Sequence, residues 1–311
     1  LRKKILLLSI FLILLSFLSI LTGPVKTLEK TIIFDIRIPR ILVVIFSGSL
    51  LSIAGLFSQT LFRNPIAEPY LLGISAGAAL GAFIAKNFIP LFPYSIQIFA
   101  FIFSQVIVLI VIFISLRNGF LPRETLLLSG IALSLLSSGI LSFLIFLSPS
   151  ERIKIFFWLF GSFSLVSWNE FFIILSIFIF SLIFIFLNIK KYDLMLLSDE
   201  EAISMGIDIK KERIILSIFI SLLTGAVVSI AGIIGFVGLI VPHIARMMAK
   251  SGKHKNLVIY TAFTGSILLL ICDDLSRTLF GGAEIPVGVF TSLLGVPFFL
   301  YLLIKRREGI F

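Results

Sequence analysis

Charge is scarce in this chain. Only 14% of its 311 residues are Asp, Glu, Lys or Arg, against about 25% in an ordinary soluble domain. No polar stretch is long enough to fold as a soluble domain of its own, so one domain spanning residues 1–311 is expected. Cysteine occurs once, as Cys272 inside an apolar run, which excludes an intrachain disulfide. Histidine occurs twice, as His243 and His254, and the acids are scattered, so a metal site lacks a plausible ligand set. No G-x-G-x-x-G follows a strand, so the dinucleotide fingerprint is missing as well.

What is present is apolar. Hydrophobic residues make up 59% of the chain, 34 of them phenylalanine. Apolar runs separated by short polar breaks predict an all-α integral membrane protein with ten spans, near 5–22, 40–62, 71–91, 94–116, 125–147, 170–188, 214–231, 233–249, 257–276 and 286–304. Arg2, Lys3 and Lys4 before the first run resemble the start of a signal peptide. No A-x-A cleavage site follows, so a retained first helix is expected. An even number of spans puts both termini on one side. If that side is the cytoplasm, only Lys26, Lys30, Arg37, Arg40, Lys86, Arg152, Lys154 and Arg277 of the 26 Lys and Arg fall outside, in keeping with the positive-inside rule. The net charge of +10 therefore reflects membrane orientation, and nucleic acid is not an expected partner.

Residues 41–62 are long enough to cross a bilayer but carry Ser47, Gly48, Ser49, Ser52, Gly55, Ser58 and Gln59. Small residues allow close backbone approach, and hydroxyl and amide groups in hydrocarbon need partners. This segment should be an interior helix. Residues 150–168, with Trp158, Gly161 and Trp168, suggest a short helix at the outer interface. The one sizeable hydrophilic segment, about 190–213, reads as two short amphipathic helices, Asp193 to Leu197 and Asp199 to Met205. Ser198 and Glu201 are placed for a capping box, and Gly206 is placed to close the helix. It is either a surface for a cytoplasmic partner or a solvated connection.

Gly232, Gly235 and Gly238 recur every three residues and predict one packed helix face, with Pro242 kinking or ending the helix. His243 reads as an interfacial anchor in preference to a catalytic base. Arg37, Arg40 and Arg277 are either a docking site for an acidic partner or internal partners of Asp35, Asp273, Asp274 or Glu284.

RIPR at 37–40, LFRNPIAEPYLLGISAGAALG at 61–81, GFVGLIVPHIAR at 235–246 and DDLSRTLFGGAEIPVGVFTSLLGVPFFLYLL at 273–303 resemble, in order, the FecCD/BtuC family. These are permease subunits of type II ABC importers of iron-siderophores, haem and vitamin B12. The resemblance implies a BtuC-like bundle of about ten transmembrane helices in the cytoplasmic membrane and a homodimer with a central pathway. It also implies two cytoplasmic ATPase subunits carrying ATP and Mg, and an extracytoplasmic substrate-binding protein. No cofactor is then bound by this chain itself.

By resemblance, Arg37, Arg40 and Arg277 would meet the binding protein. Leu197, Ser198, Asp199, Glu200, Glu201, Ala202, Met205 and Gly206 would form the coupling segment on the ATPase. Ser75, Ala76 and Gly77, with Arg123, Glu124 and Thr125, would form the gate. Vitamin B12 permeases tend to carry Asn where this chain has Ala76, which counts against vitamin B12, and iron-siderophore is the expected cargo on its abundance within the family. Serines of the second, fifth and eighth helices are expected to line the pathway. Two other classes stay open on the residues alone. An ion-coupled carrier needs ionisable groups near the membrane midplane, and an intramembrane enzyme needs a constellation around His243.

Overall fold

A computed structural model describes residues 2–23, 29–88, 93–117, 119–148, 158–280 and 284–307. Among these residues the regular structure is all helical, with one isolated bridge between Arg117 and Phe120. The helices are α1 (Arg2–Leu21), α2 (Ile38–Phe62), α3 (Ile74–Phe88), α4 (Ser95–Ser115), α5 (Arg123–Leu147), α6 (Trp168–Leu194), α7 (Asp199–Ser204), α8 (Ile209–Ala231), α9 (Val237–Ala249), α10 (His254–Thr278) and α11 (Val287–Arg307). A π-helical turn, Ile32–Arg37, leads into α2, and a 3-10 turn, Pro69–Leu72, leads towards α3. Seven helices are long and apolar enough to cross a membrane, and three shorter apolar ones accompany them. Each of the ten expected spans has its helix, and α7 is the extra, short one.

The interior helix is α2, with 83% of its span buried. Its small and polar residues are used on several neighbours at once. Gly48 meets Gly265 of α10 and Gly55 meets Gly238 of α9, backbone against backbone. Ser49 Oγ lies 2.8 Å from Ser266 Oγ, Ser52 Oγ donates to the Thr261 carbonyl at 3.0 Å, and Ser266 Oγ donates to the Ile45 carbonyl at 2.7 Å. Each such interhelical bond is worth only about 0.6 kcal/mol on average in a membrane. Their value lies in satisfying polar groups that hydrocarbon cannot. The same logic joins α4 to α8, where Gln105 and Ser221 exchange hydrogen bonds of 2.6 and 3.1 Å.

The glycine repeat at 232–238 behaves differently from the expectation. Gly232 has φ +75° and ends α8, and residues 232–236 are unwound, so Gly232 and Gly235 are not on a helix face. Only Gly238 packs as a helical glycine, against Leu51 and Pro69 as well as Gly55. The unwound backbone is satisfied from outside. The Tyr70 hydroxyl donates to the Ile234 carbonyl at 2.8 Å and accepts from its amide at 3.2 Å, while Glu68 Oε1 accepts from the Phe236 amide at 2.8 Å. Irregular backbone is tolerated in a membrane protein where protein groups replace water in this way. Nor does Pro242 end its helix, because α9 continues through it to Ala249.

Part of the expected interfacial helix, residues 149–157, lies outside the described residues. Of the remainder, Trp158 and Leu159 are helical, and Trp168 begins α6, where Ser167 and Glu170 form a capping box. The N-terminal helix α1 lies on the outside of the bundle, 6% buried. It is held to α10 by Ser19 Oγ, which donates to Asp274 at 2.7 Å.

Candidate coupling and gating site

The polar chemistry gathers at two opposite ends of the bundle. At one end lie α7, the start of α1, the end of α2 and the first turns of α5, α8 and α10. Here α7 takes its position from local sequence. Ser198 Oγ accepts from the Glu201 amide at 3.2 Å, and the Glu201 carboxylate accepts from the Ser198 amide at 2.9 Å, which is the capping box read from the sequence. The chain leaves through Gly206 at φ +84°. The expected first amphipathic helix is absent as a separate element. Residues 193–194 are the last turn of α6, and residues 195–197 are a turn.

Not all of the expected coupling residues face outward. Glu200, Glu201, Met205 and Gly206 are exposed, Ser198 also, and Leu197 partly. Ala202 is fully buried. Leu196 and Ile203, which the sequence reading left out, are exposed apolar side chains beside them. Both were legible as apolar residues in a polar segment, but their outward direction depends on where α7 is pinned.

Asp199 supplies that pin. One carboxylate oxygen lies 2.8 Å from Arg123 Nη2 of α5 and 2.9 Å from Arg63 Nη2, just past α2. The other accepts from Arg213 Nη2 of α8 at 2.6 Å. Two of these arginines are anchored again, Arg63 Nε on the Met195 carbonyl and Arg213 Nη1 on the Leu121 carbonyl, both at 2.8 Å. Arg63 and Arg213 were missed by sequence reasoning, because residues 63, 123, 199 and 213 are distant along the chain.

Burial pushes the Asp199 carboxyl up. The hydrogen bond from Arg213 and the charges of Arg213, Arg123 and Arg63 outweigh it and hold the group below its ordinary value. A carboxylate depressed in the folded state stabilises it above the unfolded pKa of about 3.9, and that contribution is lost as pH falls through the lower folded value. Hydrogen exchange in α7 should therefore be slow and constant from neutral pH down to about pH 4 and rise sharply below it, after correction for intrinsic rates. Equal protection of α7 at neutral pH and well below pH 4 would show that Asp199 does not hold it.

The proposed gate residues fall in two places. Arg123, Glu124 and Thr125 form the first turn of α5, and Ser75, Ala76 and Gly77 form the first turn of α3. Gly77 is packed against the Phe103 carbonyl and Ile107 of α4. At the same end His254 is not a loop residue. It opens α10, 1% exposed, with Nδ1 2.7 Å from Asp193 and Nε2 2.8 Å from Thr60, and it stacks on Phe57. His243 sits edge-on to Phe298. No group of three metal-ligating side chains occurs among the described residues.

At the opposite end the three candidate docking arginines are turned inward, only 5%, 6% and 3% exposed for Arg37, Arg40 and Arg277. Arg40 forks onto Asp273 at 2.9 Å and reaches Glu284 at 2.8 Å. Arg277 pairs with Asp274 and donates to the Ser19 and Thr22 carbonyls, and Arg37 donates to the Ile20 carbonyl at 2.6 Å. Of the two readings of these arginines, internal pairing describes the isolated chain. Beside them a cavity of about 630 Å³ is lined by Lys86, Gln97, Trp158, Ser162, Glu170 and Glu284 among others.

The model of the FecCD transport family matches residues 4–305. The chain belongs to the FecCD transport family. Among its relatives is the hemin transport system permease protein HmuU of Yersinia pestis, 39% identical over 280 residues, covering 88% of this chain and 83% of HmuU. Another is the Fe(3+)-citrate import system permease protein YfmD of Bacillus subtilis, 38% identical over 284 residues, covering 90% and 83%. A solved structure of a metal-chelate type ABC transporter in an inward-facing conformation superposes with a TM-score of 0.89 at 29% identity, covering 98% of this chain and 99% of that one. This FecCD chain is thus a multi-pass membrane permease with the all-α architecture of that transporter.

Within the FecCD fold the serines of α2 (Ser47, Ser52, Ser58) are buried among neighbouring helices of the same chain, and α9, the helix of the eighth expected span, carries no serine. Among the described residues of the three expected pathway helices, α5 exposes a small, polar face, at Ser138, Gly139 and Ser142. A helix that turns serine and glycine outward is better suited to protein or water than to lipid.

Proposed function

We propose that this permease works as a homodimer that passes a metal chelate, an iron-siderophore or the related haem or vitamin B12, across the cytoplasmic membrane by alternating access at the dimer interface. Two cytoplasmic ATPase subunits hold ATP and Mg beneath α7, and an extracytoplasmic binding protein docks at the opposite end. Both termini lie in the cytoplasm. The match to a metal-chelate type transporter over 98% of the chain carries this reading. The exposed Ser138, Gly139 and Ser142 of α5 support a pathway wall there, and the basic residues concentrated at the α7 end support the orientation. Arg37, Arg40 and Arg277 shape the docking end by fixing α1, α2 and α10 to one another, and the binding protein meets the surface they hold.

Proteoliposomes containing this chain, its ATPase and its binding protein should take up ferric siderophore, ferric citrate, hemin or cobalamin with ATP and without any ion gradient. Uptake that persists without ATP and collapses with the gradient would favour a secondary carrier instead. Charge reversal at the exposed pair, Glu200→Lys with Glu201→Lys, should reduce recovery of the ATPase in pull-downs about tenfold, the scale of one or two lost charge-assisted contacts. Normal recovery would remove this face of α7 from the ATPase contact.

A further inference from the structure

We propose that the cavity between the ends of α2, α9 and α10 is a binding site for a phosphate group, carried on a lipid headgroup or free in solution. It lies apart from the α5 face assigned to the pathway. The cavity measures about 310 Å³ and is lined by Gln59, Arg63, Asn64, Arg246 and His254, with Leu56, Leu196 and Leu257 among its apolar walls. A phosphate group and several waters fit that space.

Charge singles the cavity out. Among the described lining residues none is Asp or Glu. Arg246 donates through Nη2 to Gln59 Oε1, and Gln59 is fixed in turn by its Nε2 bond to the Leu239 carbonyl at 3.2 Å. Arg246 pairs with no acid among the described residues, although a guanidinium carries five N–H donors. Asn64 Oδ1 accepts from the Ile66 amide at 3.1 Å, and its side-chain amide donates to nothing among the described residues. The other two polar groups are already spent. Arg63 serves Asp199 and the Met195 carbonyl, and both ring nitrogens of His254 are taken by Asp193 and Thr60. An arginine partly withdrawn from water without a counter-charge favours an oxyanion, and its planar fork matches phosphate.

The depth also suits a phosphate. Helix α10 has 25 residues, about 37 Å at 1.5 Å per residue, which exceeds a hydrocarbon core of about 30 Å. Its first residue, His254, therefore lies at headgroup level. Lys250, Lys253 and Lys255 stand exposed around the link from α9 to α10, and Lys4 of α1 donates to the Met248 carbonyl at 2.9 Å. Basic pockets between helix ends suit phospholipid headgroups.

The test uses the full chain in dodecyl maltoside, a detergent without phosphate. Dioleoylphosphatidylglycerol and inorganic phosphate are added separately, with dioleoylglycerol and chloride at equal ionic strength as their respective controls. At least one phosphate probe should raise the thermal midpoint above its control and slow hydrogen exchange at residues 250–257. An effect of the lipid alone assigns a headgroup, and an effect of inorganic phosphate assigns the free anion. Arg246→Gln should raise the half-saturating concentration about tenfold or more, the scale of one lost charge-assisted contact. Arg246→Lys keeps the charge without the fork and should fall between. An Arg246 that only offsets the helix dipole at the end of α9 would leave the wild-type chain indifferent to both probes. That result overturns the proposal, as does unchanged affinity in Arg246→Gln. Should Arg246→Gln fail to fold, exchange in the wild-type chain decides, and slowing absent from residues 250–257 overturns the site. Neither ATPase nor cargo enters the measurement, so its outcome is independent of the transport reading.

Discussion

Arg40→Met should lower the stability of the permease by about 3–5 kcal/mol, the cost of removing one partner from a buried ion pair. Asp273 is 0% exposed, and Arg40 gives it two donor nitrogens, at 2.9 and 3.1 Å. Its other basic neighbour, Arg277, stands 3.7 Å away and is committed to Asp274 and to the carbonyls of α1. Without Arg40 the carboxylate stays in a low-dielectric site with no adequate partner. The double variant Arg40→Met with Asp273→Asn should recover much of the loss, because the charge that must be compensated has gone with its partner. By contrast, Lys191 and Glu212 at the α7 end form a pair with Lys191 45% exposed, and Lys191→Met should cost under about 1 kcal/mol. Thermal midpoints in detergent for the three variants and the wild-type chain check this order. If Arg40→Met and the double variant melt together, the pair is not what holds α2 to α10 at this end.

Gly55→Leu should prevent the bundle from assembling, and even Gly55→Ala should cost about 1–3 kcal/mol, the usual range for overpacking a close contact. A Cβ at this position would overlap the Gly238 carbonyl, carbon and Cα, and backbone cannot move aside as the end of a flexible side chain can. The two glycines let α2 and α9 touch along their backbones, and separating them would also open the Gly48 contact with Gly265 and the serine bonds along α2. Gly139 on α5 makes the comparison. A Cβ there meets nothing within 4 Å, so Gly139→Ala should leave the isolated chain as stable or slightly more so, since Ala is the better helix former by about 1 kcal/mol. Expression level and midpoint of the two alanine variants, side by side, separate the cases. Equal behaviour would mean that the α2–α9 approach is looser than the backbone contact implies.

Much of this architecture was legible before any coordinates. Apolar runs of about twenty residues mark spans because a bilayer admits only backbones that satisfy themselves, and helices do so within one segment. The interior place of α2 followed from its serines and glycines, which are wasted against lipid. The cap at Ser198 and Glu201 and the turn at Gly206 are local devices, readable from residues three or four apart. Local reading misled at Gly232 and Gly235, where a helical spacing falls on unwound backbone. The groups that satisfy that backbone, Glu68 and Tyr70, come from a turn more than 160 positions away.

The sequence by itself determined the class: a helical membrane protein of ten spans, its orientation bias, its interior helix and its family motifs. These depend on composition and short spacing, which hydrocarbon reads one segment at a time. Only the tertiary structure decided which charges are spent inside. Arg40 and Arg277 close on acids of α10 and its flank, and Arg63, Arg123 and Arg213 converge on Asp199. A linear chain carries no sign of that convergence. Ion pairing depends on distance in space, and helix packing brings together residues that the sequence keeps far apart.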